Sequence, residues 1–202
     1  MNQCWQCTSS IEPSHLLCPN CGCVQPPNPV RTYFELFALP VKFDLNLARL
    51  RDAYRSLQRT VHPDRVAGAS ERERRFAMEQ STLVNDAFRT LKSPMRRAAY
   101  LLESMGVATG EESRVQPTPL FLMNILEIRE ALDELKGADA HVERTKLKQT
   151  VQLQYEETLN RLGTRLDSQV ANGEETAGLL GQLYAELQYL EKTLVEIERF
   201  EY

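Results

Sequence analysis

Apolar positions recur at helical spacing along most of the chain. Leu47, Leu50, Tyr54, Leu57 and Val61 step by 3, 4, 3 and 4 residues, which predicts one apolar stripe on a helix over about 45–60. Asp44 stands where a cap is needed and Pro63 where the helix must stop. Phe76, Leu83, Val84, Ala87, Phe88 and Leu91 form a second stripe, on a longer helix over about 70–91. Pro94 suits the first turn of a shorter helix running to about 105. Three more helices are predicted over about 119–136, 139–171 and 174–200, separated by Gly137 and Asn172-Gly173, with Gly163 interrupting the middle one. Two-residue alternation is too short anywhere for a real sheet, so the only strands expected are a small hairpin near the N-terminal cysteines.

The breaks between these patterns divide the chain. Residues 1–29 are poor in helix formers and end in the stiff stretch Gln25-Pro26-Pro27-Asn28-Pro29. Residues 106–118 carry two glycines, a proline and mostly polar side chains, and read as a linker. The expected organisation is a small module over 1–29, a helical domain over 30–105, the linker, and a C-terminal domain over 119–202. The last domain's three helices are expected to pack as an antiparallel bundle, and the fold class is mainly α.

Charge adds a division of labour. Of 202 residues, those up to 118 hold 15 Lys/Arg against 12 Asp/Glu, while the rest hold 9 against 16, so a basic half and an acidic half face different partners. The net charge of −4 argues against a general nucleic-acid binder. No apolar run is long enough for a membrane helix, and no secretory signal or Arg-rich presequence precedes Cys4.

All five cysteines lie in the first 23 residues, which excludes a disulfide framework for the whole fold. Cys4-x2-Cys7 and Cys18-x2-Cys21 each bend two thiolates toward one ion, and two such pairs complete a tetrahedral shell. So short a segment cannot bury a sufficient core, so the ion would supply much of its folding energy. One structural zinc per chain fits best. Free or redox-active thiols and an iron–sulfur site are the alternatives. Cys23 is surplus to the shell, and His15 is a spare ligand or a solvated loop side chain.

His62-Pro63-Asp64 follows a helix bearing Arg51, Arg55 and Arg59, which lie about 90–170° from the centre of its apolar stripe and must face solvent. Three residues alone could simply end one helix and cap the next. Their surroundings are more specific. Tyr33-Phe34-Glu35-Leu36-Phe37, the Arg row, His62-Pro63-Asp64-Arg65, Leu83-Val84-Asn85-Asp86-Ala87-Phe88-Arg89-Thr90-Leu91, Ser93-Pro94 and Arg97-Ala98-Ala99-Tyr100-Leu101-Leu102 together resemble the J-domain family. That resemblance implies that His62, Pro63 and Asp64 trigger ATP hydrolysis by a DnaK-type chaperone, with Arg51, Arg55 and Arg59 as the docking surface. Phe121-Leu122-Met123, Leu126-Glu127-Ile128-Arg129-Glu130 and Tyr189-Leu190-Glu191-Lys192 are similar to the C-terminal domain of the HscB family of iron–sulfur co-chaperones. With the cysteine module, the match is to its eukaryotic form. Residues 138–185 add no motif beyond helix pattern.

Angles on the first C-terminal helix locate a second surface. With Phe121 at 0°, Ile125, Ile128, Leu132 and Leu135 fall within about 40° and form the core stripe. Leu122, Leu126, Glu130, Met123 and Glu127 fall at about 100°, 140°, 180°, 200° and 240°. An apolar patch edged by carboxylates therefore faces away from the core, and burying those carboxylates unpaired would be costly. A helix covered on both sides is the competing reading. On the last helix Leu183, Leu187, Leu190, Leu194 and Ile197 make the core stripe and Tyr189 lies about 120° from it, where it can extend the patch. The resemblance implies that Leu122, Met123, Leu126, Glu127, Glu130 and Tyr189 bind an IscU-type scaffold protein.

The function expected is a non-enzymatic co-chaperone that brings such a scaffold to a DnaK-type chaperone. A general J-domain adaptor for another client is the alternative. A zinc-ribbon nucleic-acid binder needs a basic module, and residues 1–30 contain no Lys or Arg. An enzyme using His62 and Asp64 lacks a nucleophile nearby and any phosphate cradle. The resemblance implies the mitochondrial matrix, and the lack of a presequence the cytosol or a processed chain.

Overall fold

The computed structural model describes residues 2–110, 115–135, 140–168 and 174–199. The chain forms two compact units, Met1–Arg97 and Ala98–Tyr202. The first unit opens with strands β1 (Asn2–Gln3) and β2 (Ser10–Ile11), paired antiparallel with Asn2 opposite Ile11. Helices α1 (Tyr33–Leu36), α2 (Leu47–Val61) and α3 (Glu71–Lys92) follow, with a 3₁₀ turn, Pro63–Val66, between the last two. Helix α4 (Pro94–Ser104) spans the division. The second unit holds α5 (Pro119–Glu134), α6 (His141–Asp167) and α7 (Glu174–Arg199).

Local chemistry sets the helix starts. At α1, Thr32 and Glu35 satisfy each other's orphan amides in a reciprocal box: Glu35 N donates to Thr32 Oγ1 at 3.2 Å and Thr32 N to Glu35 Oε2 at 2.8 Å. The α2 cap is Asn46, not Asp44: its Oδ1 accepts from Ala48 N at 3.1 Å and Arg49 N at 3.0 Å. The helix begins two residues later than Asp44 allows: the chain bends at Phe43 and Asp44, with Phe43 and Leu45 buried. Ser70 caps α3 through Glu73 N, and Thr118 with Pro119 starts α5.

Helices α2 and α3 meet through an aromatic and amide contact. Tyr54 stacks on Phe88 with ring centroids 4.0 Å apart and planes at 15°. The Tyr54 hydroxyl donates to Asn85 Oδ1 at 2.9 Å, and Gln58 Nε2 donates to the same oxygen at 2.9 Å. Leu50, Val84, Ala87 and Leu91 are fully buried, whereas Leu83 and Phe88 are half-buried and Leu47 is exposed. Arg97 is buried with its guanidinium 4.8 Å over the Phe43 ring, and it donates to the Leu91 carbonyl. A ring face and a carbonyl together make that burial tolerable.

In the second unit α6 and α7 pair along their length and α5 packs on both. Ile125, Ile128, Leu132, Val151, Leu190 and Ile197 form one core cluster. Helix α6 runs unbroken through Gly163, which is buried. The expected interruption is absent because packing of α6 outweighs a glycine penalty of about 1 kcal/mol. Gly137 and Asn172-Gly173 lie outside the described residues. The 106–118 stretch is not a free spacer: Val107, Thr109 and Pro117 are buried, and Thr109 O accepts from Gln188 Nε2 at 3.4 Å. A Cβ at Gly181 would meet the Val115 methyls at 3.3 and 3.4 Å, so glycine there lets the stretch lie close on α7.

Leu190 is fully buried within this cluster. Leu190→Ala is expected to cost about 2–5 kcal/mol of stability, read as a fall in the denaturation midpoint of the second unit.

Candidate chaperone turn, metal cluster and client surface

Two knuckles of the same design bring the cysteines together. In each, the amide after the second cysteine bonds back to the first cysteine's carbonyl: Thr8 N to Cys4 O at 3.0 Å and Gly22 N to Cys18 O at 2.9 Å. Both residues adopt positive φ, 61° and 75°. Glycine does so freely, while Thr8 carries a strain of about 1–2 kcal/mol that the closed knuckle must offset. Amides inside each loop, Gln6 and Cys7 in one and Asn20 and Cys21 in the other, hydrogen-bond the first sulfur.

The Sγ atoms of Cys4, Cys7, Cys18 and Cys21 lie within 4.8 Å of one another. Cys4 and Cys21 are 3.7 Å apart, Cys7 and Cys18 3.6 Å. Metal–sulfur bonds of about 2.3 Å in a tetrahedron require edges of about 3.8 Å, so these sulfurs can hold one metal ion. The Ser9 hydroxyl, 3.3 Å from Cys7 Sγ, the Ser9 amide and Asn20 bring the Cys7 thiol down to about 5, which favours the ligating thiolate. Cys23 is the thiol that spacing left over. It is buried, with its Sγ 3.4 Å from Cys4 and 3.3 Å from Cys21.

The cysteine module docks on α3. Trp5 Nε1 donates to Val24 O at 2.7 Å, and the indole meets the Phe76 edge at 5.7 Å with Arg72 4.9 Å over its ring. Val24 N donates to Glu73 Oε1 at 3.0 Å, and Gln80 Nε2 to Gln25 O at 3.1 Å. Val24, Val66, Phe76 and Ala77 share one buried cluster. Trp5 was not singled out from sequence. As the only tryptophan, in a module with little other apolar bulk, it was the available signal.

His62, Pro63 and Asp64 form the first part of the 3₁₀ turn that leaves α2. His62 Nδ1 accepts from Asp64 N at 3.2 Å, which caps the turn and fixes the neutral ring with its proton on Nε2. Asp64 Oδ2 lies 3.4 Å from that nitrogen. The side chains are 56% and 89% exposed. Arg65 donates to the Arg59 carbonyl at 3.2 Å, closing the end of α2. Arg51, Arg55 and Arg59 are all exposed on α2. Turn and Arg row thus belong to one element and its C-terminal cap.

On α5, Met123 and Leu126 are 59% and 57% exposed, with Glu127 and Glu130 exposed beside them. Leu122 is half-buried. Tyr189 is also half-buried. Its ring packs on the bundle core and meets the Phe121 edge at 6.4 Å and 82°, so the structure seats it with the core stripe. Leu120, 78% exposed, was missed; it precedes the periodic stripe and follows Pro119, where a count from Phe121 does not look. Leu120 and Met123 line a groove with Leu179 and Leu183 of α7, and Glu186, also on its wall, is pushed up by burial, an effect that Arg161 partly offsets.

An exposed His-Pro-Asp turn between two paired helices, with a separate three-helix bundle behind it in sequence, is the architecture of a J-type co-chaperone. Comparison with known proteins narrows this. Residues 118–198 match the family model described as the HSCB C-terminal oligomerisation domain. The co-chaperone HscB homolog of Shewanella amazonensis is 42% identical over 170 residues, covering 84% of this chain and 96% of that one. The mouse iron-sulfur cluster co-chaperone HscB is 34% identical, over 78% of this chain and 69% of its own. The crystal structure of human HscB superposes with a TM-score of 0.86 at 28% identity, covering 99% of this chain and 98% of that one. The chain belongs to the HscB co-chaperone family.

Two outcomes follow from the geometry. Metal analysis should find about one equivalent per chain, lost in Cys18→Ser and kept in Cys23→Ser; the reverse pattern would refute the four-cysteine assignment. The triple change Leu122→Ala, Met123→Ala, Leu126→Ala should lower the melting temperature far less than Leu190→Ala, because two of its three side chains are more than half exposed.

Proposed function

We propose that this protein is a J-type co-chaperone of iron–sulfur cluster assembly that delivers an IscU-type scaffold protein to a DnaK-type chaperone and stimulates its ATPase, promoting cluster transfer. The observation that carries the reading is the exposed His62–Asp64 turn at the end of the helix that displays Arg51, Arg55 and Arg59, in a chain of the HscB family. The basic row steers toward an acidic chaperone surface at a rate that falls with salt. Pro63 fixes its own φ, so the turn loses little entropy on docking. His62 presents its Nε2–H outward because Nδ1 is taken by the Asp64 amide.

The scaffold would dock on Leu122, Met123 and Leu126 with Tyr189 at the border. Glu127 and Glu130 on the rim repel wrong partners and fix register. The cysteine module holds one structural zinc: four thiolates in a closed tetrahedron suit zinc and leave no open position for chemistry. The match to the human HscB structure covers 99% of this chain, while that to HscB from Vibrio cholerae covers 85%. That difference supports the eukaryotic form with an N-terminal zinc module; action in the mitochondrial matrix is the part of the proposal that rests on that form alone.

The test is ATP hydrolysis by a DnaK-type chaperone with this protein and a scaffold. His62→Gln should abolish stimulation while changing stability by only about 0.5 kcal/mol, since the ring is largely in solvent. Arg55→Glu should weaken docking most at low salt. Undiminished stimulation by His62→Gln would overturn the mechanism. The Leu122, Met123, Leu126 triple alanine variant should lose about 1–3 kcal/mol of scaffold binding per anchor and still stimulate the ATPase without client.

A further inference from the structure

Cys23 is the one cysteine that the four-sulfur shell does not use, yet it is built against that shell. The turn Cys21-Gly22-Cys23, with Gly22 at φ 75°, places the Cys21 and Cys23 sulfurs 3.3 Å apart. Cys23 Sγ is also 3.4 Å from Cys4 Sγ, so it caps the Cys4–Cys21 edge of the tetrahedron. The backbone is already committed to this position, because Cys18 N donates to Cys23 O at 2.9 Å. The side chain is positioned as well. Gln25, only 3% exposed, sends Nε2 to Cys23 Sγ at 3.0 Å, to the Cys23 carbonyl at 3.1 Å and to Cys4 Sγ at 3.4 Å, while its Oε1 finds no partner among the described residues. The Gln25 amide thus clamps both the backbone and the sulfur of Cys23 beside the shell, and as a donor it suits a sulfur that carries ligand charge. Cys21 differs in exposure from Cys4, Cys18 and Cys23: it faces solvent, where oxidants and alkylating agents reach it, and the other three are buried.

We infer that Cys23 is a reserve metal ligand that replaces Cys21 in the shell. This rests on the metal reading of the four-cysteine cluster. On loss of Cys21, the Cys23 thiol gives up its proton to solvent and its sulfur moves from the Cys4–Cys21 edge to the vacated corner. Gln25 Nε2 follows it as a hydrogen-bond donor. The ion stays four-coordinate and sulfur-bound, and the module stays folded on α3. The shell therefore has three fixed ligands, Cys4, Cys7 and Cys18, and a fourth corner served by either of two thiols.

The experiment uses the full chain loaded with zinc, and separately with cobalt(II) as a spectroscopic probe. The wild type and Cys18→Ala test the metal reading itself: about one zinc for the first and loss for the second. Cys21→Ala tests the exchange. It should retain one zinc, with affinity within roughly tenfold of the wild type, and its cobalt form should keep the visible absorption of a tetrahedral tetrathiolate. Cys21→Ala/Cys23→Ala should lose the tetrathiolate spectrum, and Cys23→Ala alone should not. Trp5 fluorescence reports whether the module remains docked in each variant. Loss of zinc in Cys21→Ala, or retention with the spectrum of three thiolates and one oxygen, would overturn the exchange while leaving the four-cysteine site intact. Zinc lost from Cys21→Ala but regained with Gln25 and Cys23 both replaced by Ala would overturn it equally.

Discussion

The stack of Tyr54 on Phe88, locked by Asn85 accepting from both Tyr54 and Gln58, sets which face of α2 meets α3. Everything else in the first unit follows from that choice. With its aromatic face turned inward, α2 has to turn Arg51, Arg55 and Arg59 outward. The 3₁₀ turn that joins the two helices lies at their common end and therefore in solvent. Nearer the start of α3, Phe76, Ala77 and Gln80 seat the cysteine module. One interhelical contact thus fixes a basic face and an exposed turn.

The second unit separates stability from recognition by angle on a single helix. Ile125, Ile128 and Leu132 are buried in the bundle, while Met123 and Leu126 stand in solvent on the opposite side of α5. Salt bridges at the edges, Arg129 to Glu196 at 3.3 Å and Lys148 to Glu198 at 3.1 Å, join the helices but are exposed enough to contribute little. The load falls on the leucine and isoleucine stripes, so the patch can change with its partner at small cost to the fold.

Much of this was legible in the sequence, for reasons that differ by element. The stripes of α2, α3, α5 and α7 were found because burial on one face forces a 3.6-residue period. The knuckles were found because two Cys-x2-Cys pairs have few uses. Asp44 is not the cap although its side chain suits the role as well as that of Asn46; the chemistry of the two residues does not separate them, and the structure places the cap at Asn46. Gly163 misled because propensity is local while the packing that holds α6 straight is not. The 106–118 stretch looked idle for the same reason: Val107 and Val115 acquire meaning only opposite Gly181, far along the chain. Tyr189 is expected at the patch from its angle on α7, yet its ring packs with Phe121 on the core, because a wide aromatic ring can fold back over the stripe.

The seat of the cysteine module on α3 leaves an imprint outside the module. Val66, Phe76 and Ala77 share a cluster with Val24, Trp5 and Leu17 pack against it, and Glu73 has an amide to receive. In a chain without residues 2–25 the Phe76 ring would lose the indole that meets its edge and become a greasy scar on the flank of an otherwise charged helix. Such a chain has reason to carry polar residues there. Position 76 then carries an imprint of the knuckle that sits on it.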